Sequence, residues 1–279
     1  DTYVEGVHFM DSSDPNKFLK KVLRASLSDL YCKGIKPESY FLSFALNKKL
    51  ATSFWLKKIK NILNSEQKKF NISLAGGDTV HSSRLIITIM VLGNTKYKPV
   101  YRHNCVFKDD IYVTGNIGDS YLGLNVLRKK MDFGKYNSFF KKRYYEPNIQ
   151  TKISPYLRKI ASSSIDISDG LAQDLQHLCN NSKCGAFINL DLLPLSSFCK
   201  NLLKRKKIKL KNIFSKGDDY QILFTSKRKN RTKITNLSKK LNIKITRIGL
   251  INKDKKIVFM HNEHKFILDA NETGYIHNF

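Results

Sequence analysis

The chain has 279 residues, 41% of them hydrophobic, with 50 Lys and Arg against 23 Asp and Glu for a formal net charge of +27. That length allows two domains with separate cores, and that composition excludes a disordered polymer. The longest apolar run, residues 85–92, is a buried strand's length and falls well short of the roughly 20 residues a membrane span requires.

The positive charge is spread along the chain. Its clearest runs, Lys204-Arg205-Lys206-Lys207 and Lys227-Arg228-Lys229, carry no interleaved aromatic residues, and no zinc-finger, RRM or basic-zipper pattern accompanies them. The charge therefore reads as solvated surface rather than a nucleic-acid footprint. Five cysteines without framework spacing point to a reducing compartment, the cytoplasm. The spacing of Cys179 and Cys184 lacks the second pair a zinc site needs.

Residues 1–9 alternate like a strand. Asp14-Pro15 then opens a helix, with Asp as N-cap and Pro in the first position. Phe18, Val22 and Ala25 form one stripe of that helix, and at about 100° per residue Asp29 lands roughly 20° from Phe18. A carboxylate on an apolar face is costly unless it is paired or metal-bound, so Asp29 is a ligand candidate. The alternative places it at the helix end, beyond the stripe, since Gly34 and Pro37 follow. Residues 40–46 read as a strand and 52–63 as an amphipathic helix. The next strand, from Ile72, runs into a Gly76-Gly77-Asp78 corner, where paired glycines suit phosphate approach and Asp78 a bridging cation. A strand over 85–93 follows.

Residues 94–108 form a polar connection, the expected boundary between a domain of residues 1–104 and one of residues 105–279. The second half opens with a strand at 110–114, the loop Gly115-Asn116-Ile117-Gly118-Asp119-Ser120 and a helix; without a Walker lysine this is a weak phosphate signal. Helical stretches occupy much of 136–163. Further strands are expected at 186–190, 220–224, 244–248 and 257–260, with helices near 196–203 and 232–241. Asp132-Phe133-Gly134 spells a protein-kinase triplet but lacks the companion motifs that give it meaning.

The stretch Ser164-Ile165-Asp166-Ile167-Ser168-Asp169-Gly170-Leu171 organises the second half. It is an apolar strand that stops at a carboxylate, turns through Ser-Asp-Gly and opens a helix. Asp166 and Asp169 at such a switch suit a hard cation, and the new helix's free amides suit phosphate. The plain alternative is a helix cap, with Ser168 or Asp169 capping and Asp166 solvated. Asp1, Asp29, Asp78, Asp166 and Asp169 all stand at element ends or on an apolar face. Asp218 and Asp219 add a pair. Carboxylates gathered this way repel one another unless cations fill the site, and several Mg2+ ions suit polyphosphate chemistry without a dedicated protein nucleophile. No Ser/His/Asp or Cys/His arrangement competes.

The ordered motifs also resemble the thiamine-monophosphate kinase family. They are the Asp1–Phe9 stretch, Ser26-Leu27-Ser28-Asp29-Leu30 with Gly34, Ala75-Gly76-Gly77-Asp78-Thr79, Val113–Ser120 with its Gly115 and Gly118, Ile165–Leu171, Cys184-Gly185-Ala186 with Asp191–Leu195, Gly217-Asp218-Asp219-Tyr220, and Gly274-Tyr275 running to Phe279. The resemblance implies a two-domain α/β fold like that of aminoimidazole ribonucleotide synthetase, a homodimer paired through the N-terminal sheets, and ATP-dependent phosphorylation of thiamine monophosphate. It also implies Mg2+ ligation by Asp1, Asp29, Asp78, Asp166 and Asp169, nucleotide contacts from Gly77, Asp78, Arg102 and Ser168, and substrate contacts from His8, Asp218 and Phe279. The family carries a Gly-Asp-Asp segment ahead of the position of Asp1, so the chain is expected to be a fragment. The family's Gly-Gly-Glu-Asp-Tyr-Glu reads Lys216-Gly217-Asp218-Asp219-Tyr220-Gln221 here, one methylene shorter at Asp218. Rival readings are another kinase or synthetase of the superfamily, a basic nucleic-acid-binding protein, or a nucleotide-binding remnant without catalysis.

Overall fold

Two sheets share one helix along their seam. In the computed structural model, which describes residues 1–268 and Gly274, the first sheet contains β1 (Thr2–Val4), β2 (Ser39–Leu46), β3 (Ser73–His81) and β4 (Ile86–Leu92) in the order β1-β4-β2-β3. Along β4 the side chains alternate as a half-covered strand requires: Ile87 and Ile89 are buried, while Thr88, Met90 and Leu92 are exposed. Helices α1 (Leu19–Tyr31) and α2 (Ser53–Phe70) supply the apolar partners of the inner face, with Leu23, Leu27, Trp55 and Ile59 in one cluster with Ile87 and Ile89. Among the described residues the outer face has no such cover, and Phe41, Val80 and Met90 stand exposed on it.

Local chemistry sets the boundaries of these helices. The Asp14 carboxylate accepts from the Asn16 amide, but it caps a short 3-10 turn at Pro15–Lys17, and α1 begins only at Leu19. Thr52 caps α2 by accepting from the Trp55 amide, and Asn71, at φ 52°, ends it in the left-handed conformation Asn tolerates. The helix runs past the expected residue 63 because its apolar face continues through Phe70.

The expected corner at Gly76-Gly77-Asp78 is not a corner. β3 runs straight through it, parallel to β2, with Phe41 opposite Gly76, Leu42 opposite Gly77 and Ser43 opposite Asp78. A Cβ on Gly77 would lie 1.8 Å from the Leu42 carbonyl oxygen, so here glycine permits strand approach.

The second sheet holds β5 (Asp110–Thr114), β6 (Ser163–Asp166), β7 (Gly185–Asn189), β8 (Ile222–Ser226), β9 (Ile245–Asn252), β10 (Ile257–His261) and β11 (His264–Phe266), in the order β11-β10-β7-β9-β5-β8-β6. Its central strands β5 and β8 are buried along their whole length. Ile111 and Val113 face a cluster that includes Leu122 of α3 (Asp119–Leu127), Phe140 of α4 (Asn137–Tyr145) and Leu175 of α6 (Leu171–Ser182). Tyr112 and Phe224 face Leu157 of α5 (Ser154–Ile160) on the other side, together with Ile234 in a further helix. That arrangement accounts for the near-continuous apolar runs in the sequence. The remaining helices are α7 (Ser197–Lys204), α8 (Leu210–Ser215) and α9 (Arg231–Leu241), the last carrying Ile234. The whole is the mixed α/β, two-sheet architecture expected from the motifs.

α1 joins the two parts. It is buried around most of its circumference, including Lys21, Arg24, Ser26 and Ser28. Arg24 makes two 2.7 Å bonds to Glu66 of α2 and one of 3.2 Å to the Pro147 carbonyl. At the C-terminal end, Lys33 donates to the Ser164 carbonyl at 2.7 Å, and the Ser164 hydroxyl donates to the Cys32 carbonyl at 2.6 Å. The helix thus lies against β6 as well as against its own sheet.

Candidate active site

The last turns of α1 meet the end of β6, and two carboxylates face each other there. Ile165 and Ile167 are buried and anchor the chain on either side of Asp166, whose Oδ2 accepts from the Ser28 hydroxyl at 2.6 Å. Burial raises the Asp166 carboxyl above its usual range, against the lowering effects of the Ser28 bond and the Lys33 charge. Asp29, one residue beyond Ser28, is pushed up to about 6, first by desolvation and then by the charge of Asp166, with Lys33 and Arg102 opposing. Asp29 does not lie on a buried apolar stripe as its spacing suggested. It is among the few exposed positions of α1, in the last turn, on the side open to Asp166. Arg102 is exposed nearby, on a connection pinned to β6 by the Ser164 amide donating to the Tyr101 carbonyl at 3.0 Å.

Asp1 stands on the same side of α1. Its Oδ2 accepts from Tyr3 at 2.8 Å and from Ser26 at 3.1 Å. Asp169 follows the turn after β6. Neither Ser168 nor Asp169 caps α6: Gly170, at φ 125°, holds the cap position without a side chain. Asp174 does the capping from inside the helix, accepting the Asp169 amide at 3.2 Å and the Gly170 amide at 3.1 Å. Burial lifts Asp174 well above the ordinary carboxylate range, and Asp166 and Asp169 add to the effect. Ligating atoms of Asp169, Asp174 and His177 lie within 4.8 Å of one another.

A cleft of about 380 Å³ adjoins this seam, lined by Tyr3, His8, Lys21, Tyr144, Ser168, Asp169, Asp218 and Tyr220 among others. Two loops build its wall. The Ser168 carbonyl accepts the Asp218 amide at 2.8 Å, and the Ile167 carbonyl accepts the Tyr220 amide at 2.8 Å. The loops approach so closely that a Cβ on Gly217 would lie 1.8 Å from the Ser168 oxygen. Asp218 sits in the left-handed region at φ 73° and is held by the Tyr220 hydroxyl at 2.9 Å and the Lys21 ammonium at 2.9 Å. Lys21 is buried, donates to the His8 carbonyl at 3.1 Å, and lies 3.7 Å above the Tyr144 ring. Tyr144 donates to the same carbonyl at 3.0 Å. The His8 ring accepts from the Val4 amide through Nδ1 at 2.9 Å, which leaves Nε2 to carry the proton in the neutral ring.

The candidates drawn from the sequence therefore fall into three groups. Asp1, Asp29, Arg102 and Asp166 gather at the seam, while His8, Ser168, Asp169 and Asp218 line or border the cleft. Gly77 and Asp78 lie apart. Asp78 is on the exposed face of β3, in register with Ser43, Thr88 and Thr2 across the sheet, and three strand spacings, about 14 Å, separate Asp78 from Thr2. Phe279 lies outside the described residues. Lys21, Ser28, Tyr144 and Asp174 were not among the candidates. Lys21 had a signal, since it stands three residues after Phe18 and four before Ala25, on their stripe.

Comparison with known proteins follows the same lines. Residues 1–95 match the family described as AIR synthase related protein, N-terminal domain. A thiamine-monophosphate kinase of Buchnera aphidicola subsp. Schizaphis graminum is 36% identical over 281 residues, covering 99% of this chain and 85% of the relative. The thiamine-monophosphate kinase of Escherichia coli K12 is 32% identical, with the same 99% and 85% covered. Among solved structures, that of thiamine-monophosphate kinase from Stenotrophomonas maltophilia K279a superposes with a TM-score of 0.85 at 26% identity, over 93% of this chain and 83% of that one. No helix among the described residues is long and apolar enough to cross a membrane.

Proposed function

Because the chain belongs to the thiamine-monophosphate kinase family, a family of phosphotransferases, we propose that it transfers the γ-phosphoryl group of ATP to thiamine monophosphate, giving thiamine diphosphate and ADP. The observation that carries this reading is the 2.6 Å bond from Ser28, the neighbour of Asp29, to Asp166 across the seam, beside a cleft large enough for a small heteroaromatic phosphate.

The donor set fits Mg2+. Asp29 and Asp166 are oxygen donors whose carboxyls are both raised, Asp166 by burial and the charge of Asp169, Asp29 by desolvation and the charge of Asp166, the condition that a hard cation relieves. Asp1, Asp29, Asp166 and Asp169 would hold such ions on this side. Bound Mg2+ supplies charge neutralisation for the phosphates and alignment for an in-line transfer. The chain's own groups bind and orient. Arg102 offers a planar guanidinium to phosphate oxygens, Ser168 approaches the nucleotide, and His8 and Asp218 fix the acceptor in the cleft. Lys21 keeps Asp218 in place, and Ser28 holds the Asp166 carboxylate toward the seam.

The active form would be a homodimer that covers the outer face of the first sheet. Phe41, Met90 and Val80 are 40%, 60% and 53% exposed there, and Asp78 shares that face. The chain would divide near residue 104 into a dimerising domain and a larger second one, and would work in the cytoplasm.

The test is incubation with Mg-ATP and thiamine monophosphate, with thiamine diphosphate read by chromatography and Asp166→Asn run in parallel. Product that depends on Mg2+ and disappears in the variant supports the proposal. Turnover of ATP with a different acceptor and none with thiamine monophosphate would overturn the substrate assignment.

A further inference from the structure

Asp218 and Asp219 are consecutive, yet they face different cavities. Asp218 borders the cleft, whereas Asp219 lines a second, smaller cavity of about 80 Å³ with Asn116, Asp119, Ser120, Arg143 and Gln221. The Gly115–Asp119 loop and the start of α3 form one wall of that cavity.

The chemistry there is acidic and nearly dry. Asp119 is 4% exposed and Asp219 6%. The Ser196 hydroxyl donates to Asp119 Oδ1 at 2.6 Å, and the Gly118 amide donates to Asp219 Oδ2 at 2.8 Å. A carboxylate has about four acceptor positions, so both retain capacity. Burial raises both carboxyls, and the charge of Asp119 raises Asp219 further. Arg143 borders the cavity but forms no ion pair with either acid among the described residues. The helix start is not a vacant anion site, because Asp219 already occupies the Gly118 amide. The observation pointing to an occupant is Ser120: its residue is 2% exposed, it lines the cavity, and its hydroxyl has no hydrogen-bond partner among the described residues.

We propose that Asp119, Asp219 and the Ser120 hydroxyl hold a divalent hard cation, of the Mg2+ or Mn2+ class, in this cavity. The donors are all oxygen, as such ions prefer. The volume admits an ion with one or two waters at about 30 Å³ each. An ion there ties the α3 loop to the segment that carries Asp218, and so fixes the cleft wall from behind. The site stands independently of the reaction assigned above.

The test counts bound Mn2+ per chain by equilibrium dialysis and electron paramagnetic resonance, in the wild type, Asp119→Asn, Ser120→Ala and Asp166→Asn. The expected result is loss of one Mn2+ in Asp119→Asn, a several-fold weaker site in Ser120→Ala, and retention of this ion in Asp166→Asn. The rise in melting temperature on adding Mg2+ should shrink in the first two variants. If Asp119→Asn does not fold, Ser120→Ala, which deletes one oxygen, decides. Unchanged Mn2+ number and affinity in Ser120→Ala and in any folded Asp119→Asn would mean that water alone fills the cavity, and the proposal would fall.

Discussion

Replacing Lys21 by Met removes an ammonium from the cleft wall and leaves an unbranched apolar chain of similar length in its place. Lys21 is 2% exposed. Burial alone would depress its pKa, but the charges of Asp218 and Tyr144 hold the ammonium above its ordinary range. Loss of one partner from a buried ion pair costs about 3–5 kcal/mol. The Asp218 side chain keeps 25% exposure, so water partly compensates and the lower end, about 3 kcal/mol, is expected. Urea unfolding of Lys21→Met, Asp218→Asn and the double variant measures the pair directly. The two single costs should exceed the double by about 2 kcal/mol, since removing both charges leaves neither stranded. In kinetics, Lys21→Met should raise KM for thiamine monophosphate more than it lowers kcat, because Asp218 loses its anchor. Additive unfolding costs with unchanged KM would refute the reasoning.

Asp166→Asn should reduce kcat by on the order of 10³-fold through loss of a metal ligand. In chelator it should unfold at higher urea than the wild type, because a buried carboxyl held above its usual pKa no longer has to ionise. Asp119 gives a pH signature. Its carboxyl is raised from 3.8 to about 6 in the folded state, so its stabilising contribution is present below pH 3.8 and is lost as pH climbs through 6. In chelator, the wild type should lose about 3 kcal/mol relative to Asp119→Asn across that window, and a pH-independent difference would count against it. Gly77→Ala drives a Cβ to 1.8 Å from the Leu42 oxygen; β3 should separate from β2, with weakened dimerisation by sedimentation.

How far the sequence revealed this molecule depended on how local each cause was. β5 and β8 were legible because both of their faces are buried and their composition is apolar throughout. The switch from β6 to α6 was legible because Gly170 marks it and Asp166 ends an apolar run. The Gly76-Gly77-Asp78 strand was misread, since strand pairing with β2 overrides the weak strand preference of two glycines. Asp29 was singled out for a reason that fails: α1 has no single apolar stripe, because it packs against two sheets and buries Lys21 and Arg24 as well. Asp174 was passed over because acid in a first helical turn usually meets solvent, whereas here it satisfies two amides inside the protein. α8 and β11 are too short to carry a periodic signal.

The shared position of α1 has a thermodynamic consequence. Asp29 belongs to a helix of the first sheet and Asp166 to a strand of the second, so the pair exists only while the two halves stay docked. Any cation bridging those carboxylates, alone or carrying a nucleotide, is therefore a clamp on the docking equilibrium itself. At a hundred times its dissociation constant, such a ligand adds about 2.7 kcal/mol to the docked state. Occupancy and cohesion rise together, and slow hydrogen exchange of the Ser164 amide, bonded to the Tyr101 carbonyl beside the seam, would report both.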